Sequence, residues 1–492
     1  MTGPDATSRA TGLPPGGLLA LLLLLTAIRL SVAGLTGLID DEAYYRLWSL
    51  HPTTGYLDHA PMVAWVIAAG RAIAGEGSLG VRLLAPIGTL AGSLLLWRTV
   101  ALFEGRATAT RAVVWFNAMI LVGAGSVLMT PDGPSVFFWG ATVWALAELT
   151  ASRNANWWLV VGVAAGLGLL SKYSVLFLGI GIVLWLISTR ETRRWFLTPQ
   201  LFLGGAIAGL LFLPVVLWNA EHRWMSFAKQ FGRTSVSEWR PELVGELVGV
   251  QLLLIGLPMV PFVGLGVARF LARRDAAGLL PIATSLPFVA YLLFHALHAR
   301  VEGNWPAPLY PTLAWAAAVG ASTPLGLADR WAGRLSKLRG VVAPFGYGVT
   351  ALLYLHVLVP LVVLPPNRDP TAQMKGWGDF TRDLAALGEQ VGAPVFGGRN
   401  YTLSAQLAAG LGARRIAPFD ERERYLDLPV LDPRRVCAPI LYVERDGHGA
   451  EPDLGGHWRS VVSLGTLPRG AGGRVIENHP IWRLADPIDC TP

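Results

Sequence analysis

Long apolar runs separated by short polar ones fill the first three quarters of the chain. Runs near the roughly 20 residues needed to cross a bilayer occur at about 14 to 37, 79 to 101, 109 to 129, 134 to 150, 156 to 171, 173 to 188, 199 to 218, 242 to 269, 277 to 298, 304 to 321 and 341 to 364. They predict an all-α polytopic membrane domain of about eleven transmembrane helices. The leucine-rich run from Leu18 to Leu25 is not followed by a clean small-residue cleavage pattern, so it reads as a retained first helix rather than a signal peptide. The run from Trp157 to Ile187 divides into two helices around Ser171, Lys172 and Tyr173, with one tilted helix as the alternative.

Arginine and lysine alternate from loop to loop. With the N-terminus inside, the cytoplasmic loops hold Arg98, Arg106 and Arg111, then Arg153, then Arg190, Arg193 and Arg194, then Arg269, Arg273 and Arg274, then Arg330, Arg334, Lys337 and Arg339. An odd number of spans then puts the C-terminal tail in the periplasm. The opposite loops gather acids, histidines and aromatics. The first, from about residue 38 to 78, contains IDDEAYYRLW and PMVAWVIAAGRAIAG, whose apolar spacing suits two short helices lying in the interface. The others contain TPDGPS, SKY, NAEHRWMSFAKQFGR and HALHARVEGNW.

Composition agrees with a membrane setting: 53% of residues are hydrophobic and 15% charged. About a quarter of the residues from Asn367 onward are charged against about a tenth before it, a shift that marks a boundary between residues 1–366 and 367–492. Helix-like stretches alternate in the tail with the strand-like runs PVFGG, PILYVE and SVVSLG, which predicts a small periplasmic α/β domain. The net charge of +7 comes largely from short loops between apolar runs, so membrane orientation explains it and no nucleic-acid partner is expected. The two cysteines, Cys437 and Cys490, both fall in the tail and are either a disulfide or two unrelated thiols.

Chemistry concentrates in the periplasmic loops. Asp40, Asp41 and Glu42 follow the first span, where a carboxylate can take a proton from an attacking hydroxyl; the alternative is a solvated charge or a helix cap. Asp58 and His59 in one loop and Glu221 and His222 in another offer ligands for a divalent metal, although interfacial histidines often serve only as hydrogen-bonded anchors. His295 and His298 lie at helical spacing with no third ligand adjacent. Lys172 and Arg233 are periplasmic cations able to clamp a phosphate or to snorkel toward headgroups. GLGLLSKYS lacks the Gly-Lys-Ser/Thr ending of a phosphate-binding loop and sits in an apolar run, so no nucleotide is expected.

DDEAYYRLW followed by GYLDHAPMVAW resembles the bacterial GT-C type membrane glycosyltransferases related to the aminoarabinose lipid A transferase and to protein O-mannosyltransferases. The similarity continues through TPDGPSVFFW, GLGLLSKYSVLF, FLPVVLWNAEHRWMSFAKQFGR, NWPAPLYP and DPTAQMKGWGDF, to about Phe380. It implies Asp41 as catalytic base, Glu42 as a support of the first loop, Asp58 and His222 as a metal pair, and Lys172 facing the carrier phosphate. Asp132 matches a cavity acid, and His59, Arg233 and Tyr44 complete the expected substrate contacts. There is one departure: where the aminoarabinose transferase has a lysine before paired prolines, this chain has His59, Ala60 and Pro61.

The expected activity is inverting transfer of a sugar from a polyprenyl-phosphate donor to a lipid or glycan acceptor at the periplasmic face of the inner membrane. The competing readings are an oligosaccharyl ligase using a diphosphate carrier and a non-enzymatic transporter of lipid-linked glycans. The second is disfavoured by the long acidic first loop and by the lack of paired broken helices in two similar halves.

Overall fold

The computed structural model describes residues 14–232, 238–322, 329–362, 364–365, 368–445 and 456–488. The chain forms two compact units: Met1–Ser31, Asp58–Met62 and Leu84–Tyr354 make the first, and Val32–Leu57, Val63–Leu83 and Leu355–Pro492 the second.

The first unit is helical. Among the described residues of the chain, five helices are long and apolar enough to cross a membrane, or up to seven if each of two bent pairs counts as one span, which corrects the expected eleven. A run of apolar residues measures composition, whereas a straight span also needs a helix of about 20 residues. The runs expected at 79–101 and 109–129 share the 41-residue stretch Ser78–Ala118, interrupted at Gly105 with φ of 79°. The run at 242–269 breaks at Gly256, whose φ is 96°, and its halves Glu242–Ile255 and Leu257–Arg273 bend by 92°. Tyr173–Ser188 and Arg190–Leu197 bend by 109°. Trp157–Ser171 is helical for only 15 residues, and Tyr310–Ser322 for only 13.

Small residues let these helices approach closely, as expected where lipid supplies no hydrophobic drive between them. A Cβ at Gly266, on the helix Val260–Arg273, would overlap the Ala316 carbonyl of Tyr310–Ser322. A Cβ at Gly320 would overlap the Phe262 carbonyl in return. Gly162 and Gly204 bring Trp157–Ser171 onto Pro199–Glu221 in the same way. Trp139, Trp158, Trp185 and Trp315 fill the core left between the helices. A polar thread runs through it: Arg29 Nη1 donates to Asn117 Oδ1 at 2.8 Å, and Asn117 Nδ2 to Ser93 Oγ at 3.0 Å.

The second unit joins the first-loop helices to the tail. Helix α1 (Gly16–Leu35) ends in it, and α2 (Asp40–Trp48), most of α3 (Met62–Ala74) and α4 (Ser78–Arg82) follow. The expected α2 and α3 are therefore present, and much of each is buried: Trp48 stacks on Tyr56 with ring centroids 4.1 Å apart, and Val63, Ala64 and Ile67 are fully enclosed.

The tail carries an open mixed sheet of five strands in the order β2-β1-β3-β5-β4. These are β1 (Val395–Gly398), β2 (Ile416–Pro418), β3 (Ile440–Val443), β4 (Trp458–Ala471) and β5 (Arg474–Pro487). β1 is parallel to β2 and β3, whereas β5 is antiparallel to β3 and β4. The sequence reading foresaw β1, β3 and part of β4 but not the long partner β5. Gly472 and Gly473, both at positive φ, turn this hairpin in two residues, a geometry few other residues adopt. Cys437 is disulfide-bonded, and Cys490, the other cysteine of the chain, lies outside the described residues.

The glycine contact yields a direct test. Gly266→Leu forces Val260–Arg273 away from Tyr310–Ser322 and is expected to cost about 1–3 kcal/mol through overpacking. It should lower the unfolding midpoint and the membrane abundance of the full-length protein. An unchanged midpoint means that the close approach at Gly266 is not needed.

Candidate active site

Three carboxylates occupy the first turn of α2, where the helix dipole favours negative charge. They meet three different fates. Glu42 is fully buried beside the fully buried Arg82. Arg82 Nε donates to Glu42 Oε1 at 2.8 Å and Nη2 to Oε2 at 2.5 Å. The same guanidinium serves the C-terminal end of α1, donating to the carbonyls of Ala33 at 3.2 Å, Thr36 at 3.1 Å and Gly37 at 2.7 Å. Glu42 also accepts from the backbone N–H of Ile39 at 3.1 Å, which caps a helix whose N-cap residue has no polar side chain.

Asp40 is buried as well, its Oδ2 taken by Arg445 at 2.8 Å and its Oδ1 by Gln406 at 3.1 Å. Asp41 lies between them in sequence and is exposed. Tyr44, expected to contact substrate, is instead 2% exposed in the core of the second unit, edge-on to Trp48 and Tyr401. Helical periodicity places Tyr44 on the packed face of α2.

A further polar cluster lies near the start of the tail, where Asp369 opens the segment DPTAQMKGW. Partial burial pushes its carboxyl up, but hydrogen bonds from Thr371 and Lys375 outweigh this and hold it at about 2.

In the first unit, Asp132 begins the helix Asp132–Ser152 and Lys172 follows the helix Trp157–Ser171 in extended conformation. Lys172 Nζ reaches Asp132 Oδ1 at 2.6 Å. Asn304 Nδ2 donates to the other oxygen at 2.6 Å. Lys172 and His59 line one cavity of about 310 Å³ whose remaining walls include Phe177, Phe231, Phe288, Tyr291 and Trp305. The cavity is thus mostly aromatic and aliphatic, with a cation at its edge, and it suits an amphiphile with an anionic group.

Asp58 is buried and ion-paired with Lys229, Nζ to Oδ1 at 3.0 Å. Its backbone carbonyl accepts from Gln230 Nε2. His222 ends the helix Pro199–Glu221, with Nδ1 on the Trp218 carbonyl at 2.8 Å and its ring stacked on Trp218 at 4.1 Å. Among the described residues no three or more His, Cys, Asp or Glu side chains gather as a metal site. Asp58 and His222 each have protein partners of their own, Lys229 for the first and the Trp218 carbonyl for the second. Arg233 lies outside the described residues. Lys229, Asn304, Arg82 and Arg445 were missed in the sequence because their importance comes from partners tens to hundreds of positions away, although Lys229 and Asn304 stood inside motifs already noted.

The Glu42–Arg82 pair is testable. Arg82→Ala leaves a carboxylate buried without its partner, at a cost of about 3–5 kcal/mol. Adding Glu42→Leu to Arg82→Ala should recover much of that loss in thermal unfolding of the purified protein. Equal midpoints for Arg82→Ala and the native chain would show that the pair is not structural.

Comparison with known proteins agrees with this architecture. Residues 58–218 match the family described as dolichyl-phosphate-mannose-protein mannosyltransferase. The lipid A galacturonosyltransferase RgtD of Rhizobium johnstonii is 27% identical over 428 residues, covering 83% of this chain and 86% of that protein. The undecaprenyl phosphate-alpha-4-amino-4-deoxy-L-arabinose arabinosyl transferase of Edwardsiella ictaluri is 26% identical over 44% of this chain and 39% of its own length. The crystal structure of ArnT from Cupriavidus metallidurans bound to undecaprenyl phosphate superposes with a TM-score of 0.65 at 17% identity, covering 96% of this chain and 99% of that one. At that identity the likeness is one of fold. With its apolar spans, its small open-sheet domain and these similarities, the chain is a multi-pass inner-membrane glycosyltransferase similar to the lipid A galacturonosyl, aminoarabinosyl and protein mannosyl transferases.

Proposed function

We propose that this enzyme takes a sugar from a polyprenyl-phosphate carrier and passes it, with inversion, to lipid A, lipopolysaccharide core or another envelope glycan at the periplasmic face. The observation that carries the proposal is the cavity beside Lys172. Its apolar walls suit an isoprenoid chain, and its lysine suits the phosphate that links chain to sugar. The relatives active on lipid A and on undecaprenyl-phosphate sugars support this choice of acceptor and donor.

The chemistry asks little of the protein beyond position and charge. The acceptor oxygen attacks the anomeric carbon, and the bond from that carbon to the carrier phosphate breaks. The electron pair leaves with the phosphate, and the acceptor's proton goes to a carboxylate. Asp41 is the base in this reading, being the one carboxylate of the α2 turn on an exposed face. Glu42 and Asp40 hold the turn. Lys172 meets the charge on the leaving phosphate, with Asp132 and Asn304 holding the ammonium in place.

Two outcomes follow. Asp41→Asn keeps size and hydrogen bonding but cannot take the proton, so sugar transfer should fall by about 10² or more at equal membrane abundance. Near-normal transfer would remove Asp41 as base. Lys172→Met should weaken donor use by about 10-fold or more, the order of one charge-assisted phosphate contact, with the released carrier still a monophosphate by mass spectrometry. Release of a diphosphate carrier would point to an oligosaccharyl ligase instead.

A further inference from the structure

The tail contributes a group that the reaction scheme has not used. Asp40 Oδ2 meets Arg445 Nη2 at 2.8 Å, just beyond β3. Gln406, on the helix Tyr401–Leu411, donates from Nε2 to Asp40 Oδ1 at 3.1 Å and to the Leu38 carbonyl at 3.2 Å. The backbone N–H of Asp40 points to Gln373 Oε1 at 3.5 Å. Arg445 is backed in turn by Glu477, 3.7 Å from its Nε. Glu477 also binds Arg469 at 2.9 Å, and Arg469 donates to the carbonyls of Ala372 at 3.0 Å and Lys375 at 2.6 Å. Three separate pieces of the tail therefore converge on one residue at the start of α2.

Such an investment is out of proportion to the needs of α2 as a helix. The helix has 9 residues, and Glu42 with Arg82 already anchors it. What the second anchor adds is direction. Successive residues of an α-helix point about 100° apart, so fixing Asp40 inward and Glu42 inward fixes where Asp41 points. We infer that Arg445, assisted by Gln406, is a positioning residue that clamps Asp40 and thereby aims the Asp41 carboxylate. This rests on the reading of Asp41 as the base. It gives the C-terminal sheet a part in turnover, because the clamp belongs to that sheet and its flanking helix.

The test uses membranes carrying the full-length protein at equal abundance in cells that lack the native gene, with the cells' own donor pool. The readout is the initial rate at which the transferred sugar's mass appears on envelope lipid. Arg445→Gln should slow that rate by about 10-fold or more, since an error near 1 Å in a reacting group costs up to about 10². Gln406→Leu should slow it less. Arg445→Lys should restore most of the rate, and the unfolding midpoint of Arg445→Gln should stay within about 2 °C of native because Arg82 still holds the helix. Placed on Asp41→Asn, Arg445→Gln should cause no further loss, as expected of residues acting through one group. If Arg445→Gln stays within about two-fold of native while Asp41→Asn loses about 10², the clamp is overturned and the base stands. An equal loss from Arg445→Gln in both backgrounds overturns the clamp also. Native rates in Asp41→Asn overturn both assignments.

Discussion

An ion pair without access to water organises the second unit. Removing a guanidinium and a carboxylate from solvent costs several kcal/mol for each ion, and their attraction offsets this only when the remaining donors and acceptors are also satisfied. Arg82 and Glu42 meet that condition: the guanidinium is shared between a bidentate carboxylate and the carbonyls at the end of α1, and Glu42 also receives the Ile39 N–H. One pair thus ties the end of a membrane helix, the start of α2 and the end of α4. With it in place, the start of α2 is fixed to the end of α1, and the contacts of Asp40 with the tail complete its orientation.

The first unit solves a related problem with a different balance. A lysine beside an aromatic cavity would be costly if unpaired, and Asp132 supplies the pairing. Asn304 donates to the other carboxylate oxygen, so both oxygens of Asp132 are engaged while Lys172 lines the cavity. Asp58 and Lys229 repeat the arrangement in a second place. In both cases a carboxylate singled out in the sequence, Asp132 as a cavity acid and Asp58 as a metal ligand, pairs with a lysine. Neither pair is exposed enough for its geometry to be set by solvent, and each is therefore a matter of packing.

The loops were the most legible part of the chain. A polar residue near a lipid boundary needs a reason, so acids, histidines and lysines between apolar runs point to the site without any structure. Lys172, Asp132 and His59 stood out in this way, and the first two are bonded to each other. The two short helices of the first loop were legible too, from the spacing of YYRLW and PMVAWVIAAGRAIAG. The spans were less so. Gly256 breaks a run that is largely apolar in composition, and the expected eleven spans reduce to five, or up to seven. Tyr44, expected to contact substrate, is buried because its position in the helical repeat puts it on the packed face of α2.

By itself the sequence determined that the chain lives in a membrane and that charge is concentrated in its last quarter. Those properties follow from composition and short-range periodicity, which are local. Only the tertiary structure decided the fates of Asp40, Asp41 and Glu42. Three adjacent carboxylates are chemically alike along the chain, and they differ because Arg445 lies 405 positions from one and Arg82 lies 40 positions from another. A charge acquires its role from the partner that reaches it, and which partner reaches it is settled by folding.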